Sequence, residues 1–251
     1  MTYTESKTKT SPFIIRLVTV YKKIALDHFD VLRNDKTIGT PFELFGSEKE
    51  KHIKRIFNKY ITIQEHMEKL EKTPIFFQTP ELIPIFKKKG IEEMEFYQYV
   101  FENFIIRITS ALDLCGKLGD EVFQLNIQEK YCNWYAFANH KTMMGSASSK
   151  ILNDFADYLD KTKDHRHLII HKGGFESEEI KSIDSTIYGL DEVVPLTEPL
   201  KEWYDKRKED EMKKQIDNIN DKIAKSIDFI SDFVSTLDKN LRNINQIYNQ
   251  S

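Results

Sequence analysis

Cysteine is almost missing from this chain. Cys115 and Cys132 are the only two in 251 residues, they form no C-x-x-C pair, and two are too few to staple a fold. They read as free thiols of a reducing compartment, so a cytoplasmic address is expected. Glycine is also scarce, with nine residues, and proline with seven; no low-complexity tract and no internal repeat is present. An uninterrupted apolar run is missing too. The opening MTYTESKTKTSP is polar, and the apolar stretch behind it carries Arg16, Lys22 and Lys23, which are costly in a signal peptide or a bilayer. Neither targeting nor membrane contact is therefore expected. Charge of one sign does not dominate: 37 Lys and Arg against 40 Asp and Glu leave a net −3. No global basic field recruits nucleic acid, although a local patch still can. G-x-G-x-x-G, P-loop and G-x-S-x-G motifs do not occur, and no cofactor is expected.

What is present is helical periodicity. With 40% apolar and 12% aromatic residues the chain can close a core, and its length suits one compact domain. Ile216, Ile219, Ile223, Ile227, Ile230, Val234, Leu237, Leu241 and Ile244 recur at steps of three and four, one apolar stripe on a long C-terminal helix. A second long helix begins near Ile91 and runs through FYQYVFENFIIRITSALDLCGKLGDEVF without a proline. It is apolar enough to be buried on more than one side, so Glu102, Arg107 and Asp113 need partners or a wet cavity.

Residues 12–31 and 47–72 read as two more amphipathic helices, the second opened by Ser47 with Glu50 three positions on, a capping-box spacing. A further helix is expected over 148–160. The proline- and glycine-bearing stretches 74–90 and 173–199 read as connections, the latter longer than a bundle needs and hence a functional candidate, with STIYGL at most a short extended piece. No sustained strand alternation is found, and the expected class is all-α.

One cluster stands apart. DHRHLIIHKGG, residues 164–174, brings an arginine, three histidines and a glycine pair together. It is locally basic, with Lys161, Lys163, Arg166 and Lys172 against Asp160 and Asp164, and it suits a phosphate. His167 and His171 are spaced i, i+4, as zinc ligands often are. However, Leu168 stands where H-E-x-x-H needs its glutamate, and no third ligand is evident beyond Asp164 or His165, so no metal is expected. The apolar Leu168, Ile169 and Ile170 are expected to pack this helix into the core and hold the polar residues at its solvent-facing start.

RHLIIH, with Arg166, His167 and His171, resembles the R-x4–6-H signature of the HEPN superfamily, and FENFIIRITSALD resembles the long helix of certain bacterial HEPN subfamilies. The likeness covers about residues 91–175. It divides the chain into an N-terminal helical part, 1–90, which itself carries no such likeness, and a HEPN-like core, 91–251. The resemblance implies a helical bundle that dimerises so that two motifs share a cleft. It also implies a metal-independent endoribonuclease of toxin–antitoxin or anti-phage systems, with RNA as substrate and an antitoxin or defence protein as a possible partner. The alternative is a HEPN module without catalysis that binds RNA, a nucleotide or a protein.

The residue types fit that chemistry. Metal-free RNA cleavage needs the 2′-OH deprotonated, the phosphorane's charge stabilised and the leaving 5′-oxygen protonated. Histidine exchanges protons near neutral pH, and arginine offers a planar fork of donors. His171 is then the acid/base, Arg166 the phosphate clamp and His167 a second polar contact. Arg166 and His171 are five positions apart, about 140° around a straight helix, so a kink or a second copy must bring them together. Glu102 and Asp113, eleven apart, share a face of the central helix; one of them orients Arg166 or a histidine, or both form an exposed, salt-bridged stripe. Arg107 is expected to pair with an acid, and His140, before a loop, to be a surface histidine.

Overall fold

The computed structural model describes residues 11–28, 46–172 and 197–249. Among them are nine α-helices and no strand. They are α1 (Pro12–Asp27), α2 (Glu48–Glu71), α3 (Thr73–Phe77), α4 (Ile83–Lys87), α5 (Glu93–Phe123), α6 (Trp134–Ala138), α7 (Ala147–Tyr158), α8 (Asp160–Lys172) and α9 (Glu198–Asn249). The all-α class is therefore correct. Two 3-10 turns, Pro80–Leu82 and Glu129–Tyr131, complete the set. No helix of the described residues is long and apolar enough to cross a membrane.

The chain forms two compact units, one of Met1–Glu68, Ser110–Tyr158 and Ser226–Ser251, the other of Lys69–Thr109 and Leu159–Lys225. In the first, Phe13, Leu17 and Ile24 of α1 are buried, as are Ile53, Ile56, Ile63 and Met67 of α2. Tyr21 stacks on Phe57 at 3.7 Å between ring centres. Phe137 of α6 meets Phe233 of α9 edge-on at 5.9 Å, and Phe155 of α7 stacks on Phe229 at 5.0 Å. α6 approaches α5 closely because α5 carries glycine where they touch. A Cβ on Gly116 would lie 2.5 Å from the Trp134 amide nitrogen, and one on Gly119 would lie 2.5 Å from a ring carbon of Phe137.

Specific polar contacts tie elements of this unit together. Arg16 donates to Asp238 at 3.1 Å, and Arg242 reaches the other carboxylate oxygen at 2.7 Å, tying α1 to α9. Burial alone would raise the Asp238 carboxyl, but the hydrogen bonds and charges of Arg242 and Arg16 outweigh it and hold the group below its ordinary value. At the start of α2 the capping box forms as its spacing predicts: the Ser47 amide donates to Glu50 at 2.6 Å, and the Glu50 amide donates to Ser47 Oγ at 3.3 Å.

In the second unit Phe77 stacks on Tyr97 and Phe86 on Phe96, at 5.6 and 4.8 Å. Lys208 pairs with Glu93 at 2.6 Å. Burial first, then Glu93, pushes the Tyr97 hydroxyl up to about 12. Within their respective units, all eight stripe residues from Ile216 to Leu241 are buried.

Four expectations need correcting. The stretch 74–90 is more than a connection, because it holds α3 and α4: Pro74 and Pro84 sit in the first turn of each, where a missing N–H costs nothing and the fixed φ suits a helix. Similarly, Pro199 stands in the first turn of α9, so the end of 173–199 is helical, while residues 173–196, STIYGL included, lie outside the described residues. The helix expected over 148–160 ends at Tyr158, and a second begins at Asp160 after the fully buried Leu159. Finally, the helix expected over 12–31 ends at Asp27 with His28 as its C-cap, and residues 29–31 lie outside the described residues.

Candidate functional site

The motif lies on α8. Asp160 in its first turn suits the positive end of the helix dipole and pairs with Lys163 at 3.3 Å. Leu159 and Thr162 are buried and anchor this end. The half-buried positions continue at His165, Arg166 and Ile169, three and four residues apart, while Asp164, His167, Ile170 and His171 are exposed.

This placement revises two expectations. Arg166 stands at the middle of the helix and His167 and His171 in its second half, not at its start, because α8 begins six residues before the arginine. Nor does Leu168–Ile170 enter the core. Leu168 and Ile169 are half-buried and Ile170 is 49% exposed; counted around the helix from the buried Thr162, Ile169 falls about 20° away and Ile170 about 80°, at the edge of the buried face.

α8 brings the two histidines together. Their rings are 4.8 Å apart, centre to centre, one helical turn along. Arg166 and His171 are not brought together by the helix: no break interrupts it between them, one is half-buried and the other exposed. Five residues at 3.6 per turn leave them about 140° apart.

The remaining candidates are dispersed. Lys163 is half-buried against Asp160, and Lys172 is the last residue of α8. Glu102, half-buried on α5, accepts a hydrogen bond from Gln98 Nε2 at 2.8 Å. Asp113 lies three turns further along, in the other compact unit, and adds to the effect of burial in pushing the Cys115 thiol up. Arg107 Nε donates to Asn103. His140 is half-buried, and its Nδ1 accepts the Thr142 amide at 3.4 Å. No group of three or more His, Cys, Asp or Glu among the described residues is placed to hold a metal.

Residues 43–245 match the HEPN_Cthe2314-like HEPN family. The chain belongs to that family. The match takes in α2 to α4, which the motif-based likeness over 91–175 did not reach, together with the motif helix and most of α9. No curated protein and no solved structure matches the chain.

A polar cleft of this HEPN protein carries no sequence motif. About 320 Å3 in volume, it lies in the first unit between the start of α2 and the end of α5. His52, 7% exposed, donates from Nε2 to the Glu121 carbonyl at 2.8 Å, and its Nδ1 faces the Gln124 amide nitrogen at 3.2 Å. Arg55 pairs with Glu121 at 2.8 Å. Gln124 and Asn126 hold positive φ values of 52° and 58° on the cleft wall. The sequence separation of His52 and Glu121, 69 residues, hides this arrangement from any local motif.

Proposed function

We propose that the chain is a metal-independent endoribonuclease of HEPN type, acting as a cytoplasmic homodimer in a toxin–antitoxin or anti-phage defence setting. The observation that carries this reading is the arrangement of Arg166, His167 and His171 on one helix of a HEPN family member, with both histidines exposed. In the reaction, His171 takes the proton of an RNA 2′-OH and O2′ attacks the adjacent phosphorus. The bond to the 5′-oxygen breaks as a histidine of the second copy protonates it. The products are a 2′,3′-cyclic phosphate and a 5′-hydroxyl. Arg166 of the second copy holds the non-bridging oxygens. His167 adds a polar contact, and Lys163 and Lys172 supply charge for flanking phosphates. The 140° divergence of Arg166 from His171 supports the composite site, since an isologous interface sets each helix against its copy.

Labelled RNA incubated with the purified protein in EDTA tests the chemistry. Fragments ending in 2′,3′-cyclic phosphate are expected. RNA left intact at every ionic strength would favour the non-catalytic module that binds RNA, a nucleotide or a partner protein. A covalent tandem dimer tests the shared cleft: with His171→Ala in one half, activity should fall by more than half, whereas two independent sites would retain half.

A further inference from the structure

The second compact unit contains a larger cleft, about 840 Å3, within the size range of small-molecule sites. Its walls are chiefly apolar: Phe76, Phe86, Ile91, Phe96, Tyr99 and Val100 line it. Several of these are not spent on the core, with Tyr99 66% and Phe76 45% exposed. A solvated apolar surface that is concave gains free energy when an apolar ligand covers it.

The charged lining is one-sided. Lys69, Lys72 and Arg107 contribute three positive charges against the single carboxylate of Glu95, in a protein of net charge −3. Glu95 is already engaged, accepting the Glu92 amide at 2.8 Å as a cap of α5. Along α5 the lining residues form a stripe at steps of three and four. Phe96, Tyr99 and Val100 come first, then Asn103, and finally Arg107 about 16 Å from Phe96 at 1.5 Å per residue. The Arg107 guanidinium is oriented by its hydrogen bond to Asn103 Oδ1. The stripe is thus apolar at one end and basic and amide-bearing at the other.

We propose that this cleft binds a linear amphipathic carboxylate, the chemistry of a free fatty acid, with its head at Arg107 and Asn103 and its tail along Phe96, Phe86 and Ile91. A carboxylate offers two oxygens to the arginine fork, and Lys69 and Lys72 supply further positive charge. The apolar walls favour a hydrocarbon tail over a sugar, whose hydroxyls would be desolvated against phenyl rings without partners. None of the residues lining the cleft comes from α8, so the proposal stands or falls separately from RNA cleavage.

Calorimetric titration of the full chain with dodecanoate below its micelle concentration tests this directly, with dodecyltrimethylammonium and AMP as comparison probes. Dodecanoate should saturate at one per chain and bind at least ten-fold tighter than the cationic amphiphile with the same tail. The double variant Lys69→Glu, Lys72→Glu should weaken dodecanoate at least ten-fold at unchanged Tm, because both side chains are exposed. Phe76→Asp at the exposed wall should weaken it as well. No saturable binding, equal binding of the two amphiphiles, unchanged affinity in both variants, or tighter binding of AMP would each overturn the assignment. A concentration-dependent self-association that the double variant abolishes would give the cleft to a second copy instead.

Discussion

α7 and α8 follow each other with only Leu159 between them and differ by one residue in length, yet they are used in opposite ways. α7 buries Ser148, Ser149, Leu152, Phe155 and Ala156, and even its hydroxyls are committed: Ser149 donates to the Ala138 carbonyl at 2.8 Å, and Ser148 meets Thr236 at 2.7 Å. Among the described side chains of α8, Thr162 alone is buried beyond Leu159 at its threshold, and His167, Ile170 and His171 are exposed. A helix whose side chains are consumed by packing cannot also present them to a substrate. A helix anchored at one end can, at little cost in stability.

The contrast should be clearest in paired substitutions. Phe155→Ala removes a fully buried ring stacked on Phe229 and should cost about 3–5 kcal/mol, read as a lower midpoint in denaturant with unchanged slope. A loss below about 1 kcal/mol would mean that α7 is not the packed member of the pair. His171→Ala should act the other way round, leaving Tm nearly unchanged while cleavage falls by about 100-fold or more. Arg166→Lys should fail with it, because lysine keeps the charge and loses the fork. Loss of folding in either variant would make α8 structural and erase the distinction.

Gly116→Ala sharpens the comparison on the packed side. In an open helix that change gains about 1 kcal/mol of propensity. Here the new methyl meets backbone atoms of Asn133 and Trp134 at 2.5–2.6 Å, and a net loss of about 1–3 kcal/mol is expected in chemical denaturation. A stabilised variant would show that α6 does not depend on that close approach. The smallest effect concerns acid. Because the folded state holds Asp238 below its ordinary 3.8, its contribution is present above that pH and disappears as pH falls through the lowered value. Asp238→Asn should therefore be less stable than the parent at pH 7, by about 1–3 kcal/mol. The two Tm curves should converge near the acid limb, and a gap that stays constant to low pH would assign the loss to packing.

Much of the secondary structure was legible in the residues because its causes are local. The Ser47–Glu50 box is a contact across three positions, and the stripe from Ile216 to Leu241 repeats at helical spacing. Prolines misled for a local reason as well: the same residue that ends one helix begins another, and only the geometry around Pro74 and Pro84 tells which. The R-x4-H spacing located the candidate site, but it could not say which face of α8 would turn inward. RHLIIH by itself suggests that Leu168–Ile170 is the buried face, whereas Leu159 and Thr162, upstream of the motif, set the actual one.

By itself, the sequence determined the all-α class, the long central and C-terminal helices and the HEPN motif, since periodicity, capping and short motifs act over a few neighbouring residues. Only the tertiary structure decided what depends on residues far apart in the chain. The glycine contact between α5 and α6, the His52 ring held by Glu121 and Gln124, and the apolar cleft running to Lys69 and Arg107 are all of this kind. Burial and electrostatics reward proximity in space, and a chain of helices creates that proximity only when it folds back on itself.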